Sequence, residues 1–426
     1  MIYLDSAATT PVPREVADEM YRVLTECFGN PSAQYPAGQE MKKAVDAWRK
    51  TIADALPCDP KQLYFTSCGT ESDNWAIHAA LWQNRRVGKH IITTAVEHSA
   101  VLEPLKLLEQ QGYEITRLLP DRDGNIFAQQ VADALREDTA LVSVMLVNNE
   151  TGCVFPVAEI AQVLKDRKSC ALLHTDAVQA FLKVPCDPKK LGVDFMSLSA
   201  HKIGGPKGIG ALYISGTVKN PRPLLPGGGQ ESGVRSGTEA TAQIAGFAKA
   251  VQLRCDNLDT KLSHMAQMKA YCREKLLTIP NMVAVGSGTA PHVLMVSLVG
   301  YPSANVVTDL GAQGICISAG SACHRGKLSH VVEALKLDKR TAAGVLRISF
   351  SPETTVSDID ALYEALKAHQ RSRFRADGET PALEIADDPV GQFIVPYGRG
   401  IDYDAAAFLN ALVECLALVH RALVQK

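Results

Sequence analysis

Apolar, β-rich runs alternate with helical stretches through the first two-thirds of this chain, and that alternation constrains the fold more than any other feature. Candidate strands are Gln62–Thr66, His90–Thr94, Glu114–Leu119, Leu141–Val147, Ala171–Thr175, Phe195–Ser199 and Gly210–Ile214. Between them lie helix-like segments such as Glu71–Gln83, Ala100–Gln111, Ala128–Arg136 and Val157–Lys165. Strands separated by helices pair side by side in parallel, with helices on both faces of the sheet. The expected fold is α/β, with a mostly parallel, doubly wound sheet. A Gly- and Pro-rich loop, Pro221–Gly233, comes next, then a helical stretch from about Ala240 to Leu277. A second pattern follows: strand Val293–Val299, helix Ala304–Gln313, strand Ile315–Ser318, helix Ser329–Leu335, strand Val345–Phe350 and helix Val356–His369. It reads as a smaller α/β domain. Asp377–Gly400 lacks periodicity and reads as a linker, and Asp402–Lys426 reads as a final helix.

Composition narrows the function classes. The chain has 426 residues, 46% hydrophobic and 21% charged, which excludes a disordered protein. A formal net charge of −2 excludes a general nucleic-acid binder, which needs a basic surplus. No run approaches the roughly 18 apolar residues of a membrane span. The start, MIYLDSAATT, lacks the basic and apolar segments of a secretory leader. A cytoplasmic protein with reduced thiols is expected. None of the eleven cysteines forms a C-x-x-C pair, so no metal site is expected and most read as core residues.

In an open α/β sheet, ligands bind beyond the carboxyl ends of the strands. Ser67-Cys68-Gly69-Thr70-Glu71 follows the first large-sheet strand and opens a helix. Its backbone N–H groups suit a phosphate, although an ordinary cap by Thr70 or Ser67 is the alternative. The next strand ends deliver Glu97-His98, Asn148-Asn149, Asp176 with Gln179, and His201-Lys202. A phosphate cradle, an acid and a lysine are the parts that hold pyridoxal phosphate (PLP). The lysine forms a Schiff base, and the acid keeps the pyridine nitrogen protonated. Lys207 rivals Lys202 in the turn HKIGGPKG, but Lys202 lies nearer the strand end. No G-x-G-x-x-G or Walker sequence supports a dinucleotide or ATP site.

A second constellation is SAGSACHRG at 318–326. His324 and Arg325 beside Cys323 favour its thiolate, against the alternative of an inert buried thiol. Cys68, Cys153 and Cys316 read as core residues. Arg347 stands in an apolar run, where it either pairs with a buried acid or clamps a substrate carboxylate.

These residues fall in ordered motifs: YLDSAATTPV at 3–12, GNPSA at 29–33, FTSCGTESDN at 65–74, EHSAVL at 97–102 and NNETG at 148–152. HTDAVQ at 174–179, SLSAHKIGGPKGIGALY at 197–213, GGGQESGVRSGTE at 227–239, SAGSACHRG at 318–326 and LRISF at 346–350 continue the order. Any one is weak, but together they are highly specific. From Tyr3 to about Leu366 the chain resembles the cysteine desulfurases of the NifS/IscS type, class V enzymes of PLP fold-type I.

The resemblance implies a large domain with a mostly parallel seven-stranded sheet at 16–255. It implies a small domain bearing the cysteine loop at 256–376, with residues 1–15 joined to that small domain. It implies that Lys202 carries the cofactor, that His98 stacks on its ring, that Asp176 pairs with its nitrogen and that Gln179 contacts its phenolic oxygen. Thr70, Ser199 and His201 are implied to hold the phosphate, with Thr238 reaching the cofactor of a neighbouring subunit in a homodimer. Asn149 and Arg347 are implied to bind the carboxylate of L-cysteine, and Cys323 to be the nucleophile. The products are then alanine and a Cys323 persulfide, whose sulfur passes to an acceptor protein for iron–sulfur clusters, thiolated tRNA or thio-cofactors.

Three departures stand out. The segment between Cys323 and Ser329 is shorter than the family's usual form, His324 replaces a small hydroxyl residue, and nothing from about residue 377 onward matches. The last helix is apolar on most sides and is expected to dock on its own domain or its dimer mate; a docking surface for a sulfur acceptor is the sharper alternative. Competing activities within the superfamily are selenocysteine lyase, aminotransferase and β-lyase. Transamination needs no thiol, so Cys323 argues against it. A non-catalytic scaffold has no need of Lys202, Asp176 and His98 together.

Overall fold

The computed structural model describes residues 1–320 and 328–373; Cys323, the linker and the last helix fall outside the described residues. The strands, in chain order, are β1 Ile2–Tyr3, β2 Leu63–Thr66, β3 His90–Thr94, β4 Glu114–Leu118, β5 Thr139–Ser143, β6 Leu172–Asp176 and β7 Phe195–Ser199. After these come β8 Gly210–Ile214, β9 Met282–Ala284, β10 Val293–Leu298, β11 Ile315–Cys316, β12 Ser318–Ala319 and β13 Val345–Ser349.

The expected seven-stranded sheet is present, in the order β2-β8-β7-β6-β5-β3-β4. Strand β8 is its antiparallel member, and the others run in one direction. Both faces are buried, which is why these strands read as near-continuous apolar runs. Neighbouring residues alternate between two cores. Ile91, Leu141, Phe195 and Leu212 pack with Trp75 on one face. Ile92, Val142, Met196 and Ala211 pack with Phe247 on the other.

A four-stranded antiparallel sheet, β12-β13-β10-β9, forms the second layer system. Leu294, Val296, Leu346 and Ile348 bury one face of it, and Met295 and Val345 the other. The amino-terminal segment is threaded into this region. β1 pairs in parallel with β11, and the Ser349 N–H donates to Leu4 O at 2.8 Å.

Several boundaries differ from the sequence reading, each for a local reason. The expected strand Leu141–Val147 ends at Ser143; Val144 and Leu146 still donate to His174 O and Asp176 O of β6, but the Met145 N–H between them turns to the Glu97 carboxylate at 3.0 and 3.1 Å. The expected strand Ile315–Ser318 is two strands in two sheets. The stretch Ala240–Leu277 is two helices, Thr241–Cys255 and Leu258–Leu276, broken where Asn257 takes a left-handed φ of 53°. Sequence patterning did not mark helices Arg14–Thr25 and Pro36–Ala55. Each buries only a narrow stripe of a mostly polar surface, Val16 and Val23 in the first and Met41, Val45 and Ile52 among the buried residues of the second. Among the described residues no helix is long and apolar enough to cross a membrane.

Candidate functional site

The carboxyl ends of β2, β3, β6 and β7 share one rim of the large sheet, and the polar residues singled out above follow them there. The helix Gly69–Gln83 begins against this rim. Its N-cap is Cys68, which makes no side-chain cap hydrogen bond, so the ordinary capping alternative for Ser67 or Thr70 falls away. Gly69 is required sterically: a Cβ there would lie 2.8 Å from Val178 Cγ2 and 3.7 Å from Ser199 Cβ. That contact brings the first helical N–H groups, with Thr70, beside buried Ser199. The His201 Nδ1 is 3.2 Å from Thr9 Oγ1. Burial first, then the Lys202 and Lys207 charges, lower the His201 pKa to about 4, so its ring is neutral.

Lys202 is half-buried and Lys207 is exposed, which separates the two rivals in the turn. The Lys202 Nζ donates to Ala7 O and Ala8 O, each at 2.7 Å. Burial first, then Arg347, lowers its pKa to about 8. The turn after it needs its glycines: Gly204 has a φ of +90°, and a Cβ on Gly205 would meet Ala200 Cβ at 2.7 Å. Asp176 acts on Lys202 in the opposite direction to burial and favours its charged form.

Asp176 ends β6 and is 5% exposed. Its Oδ1 accepts from the Val178 N–H at 2.8 Å, and its Oδ2 has no hydrogen bond among the described residues. Burial, then the Asp73 carboxylate, raises the Asp176 pKa to about 7. Asp73 is fully buried beneath it, 3.5 Å from His174 Nε2, and burial raises it to about 7 as well. His98 caps the helix Ser99–Gln110, its Nδ1 accepting from the Ala100 N–H at 3.2 Å. One side of His98 is open, yet the protein packed about it lowers its pKa; Asp176 opposes that, and Lys202 adds to it.

Gln179 is buried behind the lysine. Its Nε2 donates to Ala7 O at 2.8 Å, and its Oε1 accepts from Lys183 Nζ at 3.3 Å and from His292 Nε2 at 3.2 Å. Arg347, on β13, reaches the same region from the small sheet. Its Nη2 donates to Asp5 Oδ1 at 2.9 Å and Ser318 Oγ at 3.0 Å, and its Nη1 donates to Asn149 O at 3.0 Å. Its Nε is buried without a partner. The pairing of Arg347 with an acid is thus present, through Asp5. Thr238 is exposed and makes no hydrogen bond to this cluster among the described residues; the loop before it is pinned by ion pairs of Arg235 with Glu71, at 2.8 Å, and of Arg49 with Glu231, at 2.6 Å. Cys323 lies outside the described residues.

Sequence reasoning missed several members of the site. Asp73 is a buried carboxyl that went unnamed, and Glu97, named beside His98 but given no role, is buried too, which raises it to about 8. Their signal was present: an acid inside the apolar face of a helix, and an acid preceding His98. The Ala7 and Ala8 carbonyls carry no such signal, because a backbone oxygen looks alike in every residue, and Asp5 carries none because its partner Arg347 is 342 residues away.

This arrangement belongs to a known class. The aminotransferase class-V family model matches residues 2–362. The cysteine desulfurase IscS of Methanosarcina thermophila is 41% identical over 369 residues, covering 86% of this chain and 91% of that protein. A solved NifS-like protein superposes with a TM-score of 0.82 at 33% identity, covering 87% of this chain and 99% of its own. SspA, solved in complex with cysteine, superposes with a TM-score of 0.73 at 33% identity, covering 83% of this chain and 100% of its own. The chain belongs to the class-V aminotransferase family, among its cysteine desulfurases.

Proposed function

We propose that this protein is a PLP-dependent cysteine desulfurase that converts L-cysteine to L-alanine and holds the sulfur as a persulfide on Cys323. The observation that carries the reading is the shared rim of Lys202, Asp176 and His98, whose charges act on one another, in a chain so close to named desulfurases. The rim suits PLP. The uncapped first turn at Gly69 and Thr70, beside Ser199 and neutral His201, suits a phosphate. The free Oδ2 of Asp176 suits a protonated ring nitrogen, whose positive charge offsets the burial that otherwise neutralises this acid. Gln179 presents an N–H because Lys183 and His292 occupy its oxygen.

When bound, PLP supplies the electron sink that makes the substrate Cα proton acidic. Lys202, already weakened as an acid holder by burial, takes that proton. His98 covers the opposite side and passes protons as a neutral imidazole. Asn149 and Arg347 orient the substrate carboxylate. The Cys323 thiolate attacks the substrate sulfur; the carbon–sulfur bond breaks toward carbon, and the sulfur stays on Cys323. Thr238, exposed in the single chain, reaches the cofactor of a second copy in a homodimer. The sulfur leaves to an acceptor protein in the cytoplasm. In this reading residues 16–255 hold the cofactor and 256–376 the cysteine loop.

Alanine release from L-cysteine by the PLP-loaded protein, beside Cys323→Ala, tests the proposal. Wild type is expected to release alanine and, with reductant, an equal amount of sulfide. The variant is expected to lose roughly 100-fold or more. Equal alanine release in both removes Cys323 as nucleophile, and pyruvate with ammonia in place of alanine would mark a β-lyase.

A further inference from the structure

We propose that a cavity behind the amino-terminal segment binds a small oxyanion, of the class that includes inorganic phosphate and sulfate. The cavity measures about 400 Å³, and its lining includes Ser6, Lys183, Lys202, Arg254, His292 and Glu353. Of the described residues assigned above to cofactor and substrate, only Lys202 reaches it. It goes beyond the desulfurase reading and stands without it.

Two basic side chains of the lining, Lys183 and Arg254, form no ion pair among the described residues. Lys183 is 4% exposed and has no carboxylate partner among the described residues. Its single hydrogen bond is the 3.3 Å contact to Gln179 Oε1. The Arg254 Nη2 reaches only Met265 Sδ, at 3.7 Å, and its Nε is buried without a partner. The Ser6 hydroxyl and His292 Nδ1 are also buried and unpartnered. The acids nearby do not close this account. Glu353 is exposed and acts on Arg254 only at longer range. Asp358 directs its Oδ2 to the Thr355 N–H and hydroxyl, at 2.8 and 2.7 Å, and forms no ion pair with Lys183 or Arg254 among the described residues. Lys261, also in the lining, is satisfied by Leu253 O and Asp256 O.

Buried charge is tolerated when it is paired, and here the fold supplies a guanidinium and an amine without an acidic partner among the described residues, so the amine favours its neutral form until an anion arrives. Burial, then Arg254 and Lys202, pushes Lys183 well below an ordinary lysine, a strain that an anion relieves. A guanidinium fork beside an amine matches the oxygens of an oxyanion. The volume lies near the lower end of ligand clefts, which suits a small occupant with water. The occupant has a short route to the rim: Lys183 holds Gln179, and Gln179 shares the Ala7 carbonyl with Lys202.

The test uses the full-length, PLP-loaded protein, so that the cofactor already fills its own phosphate cradle. Thermal unfolding and titration calorimetry are run with inorganic phosphate and with sulfate, against chloride at constant ionic strength. The expected result is a saturable rise in Tm above chloride with at least one of the two anions. Its apparent affinity falls about tenfold or more in Arg254→Gln and in Lys183→Met. Lys42→Gln, at an exposed helix position, leaves it unchanged. No saturable rise over chloride overturns the proposal, and so does a rise that Arg254→Gln retains. Arg254 is partly exposed, so its variant decides the matter even if Lys183→Met does not fold.

Discussion

Two lysines lie within one hydrogen-bond network of each other, and they are treated in opposite ways. Lys202 sits at the sheet rim with two carbonyl acceptors and a carboxylate acting on it. Lys183 sits deeper, with one long hydrogen bond and only positive charges acting on it. Burial lowers both. The partners decide what the lowering is for: a lysine held near a pKa of about 8 exchanges protons readily, whereas an unpaired one is a demand for a ligand. Depressed lysine pKa values alone do not mark a catalytic site.

The comparison breaks most sharply at Lys202. Lys202→Ala is expected to reduce alanine release by about 10³-fold or more, measured with saturating L-cysteine and PLP. If Lys183→Met matches that loss, the two lysines are not different in kind. Asp176→Asn comes next, with an expected loss of roughly 100-fold, because a neutral amide no longer holds the ring nitrogen charged. Full activity in that variant would remove Asp176 from the cofactor.

Smaller effects appear in stability. Asp73 is an acid raised in the fold to about 7, so its contribution is present below the ordinary carboxylate range and lost as pH climbs through about 7. In the cofactor-free protein this one group is expected to remove stability between about pH 4 and pH 7, while histidines that the fold holds neutral, such as His174 and His201 at about 4, add stability over much of the same range. Asp73→Asn should flatten that fall by up to about 1.4 kcal/mol per pH unit, one proton's share, in denaturant titrations at several pH values. An unchanged slope would mean that Asp73 is ionised in the fold. The smallest effect concerns Lys183→Met without added anion. Replacing an unpaired buried amine by an apolar chain is expected to be neutral or stabilising by about 1 kcal/mol. A large destabilisation would show that the hydrogen bond to Gln179 matters more than the missing counter-ion.

What was legible in the sequence follows from what pattern encodes. The large sheet was legible because both its faces are buried, so β3, β7 and β8 stand out as apolar runs between helices. Lys202, Asp176 and His98 were legible because parallel strands end at one rim. The ends of β5 and β11 were not, since a carboxylate 48 residues away in the chain takes the Met145 N–H, and β1 takes the next partner position. Nor was the company of Arg347: Asp5 lies 342 residues from it, and no periodicity spans that distance. Lys183 gave no signal because a lysine after a buried helical turn looks like any surface lysine until its neighbours are known.

The threading of the amino-terminal segment has a consequence for biosynthesis. Ala7 donates its N–H to Ser349 Oγ, a residue that emerges 342 positions later. At ribosomal speeds that interval lasts roughly 15 to 70 s. Throughout it, the carbonyls that steady Lys202 have no anchor in the second sheet. The nascent chain can finish its large sheet early, but the lysine's surroundings are completed only near the end of translation, which delays the assembly of a reactive centre until the remainder of the fold can enclose it.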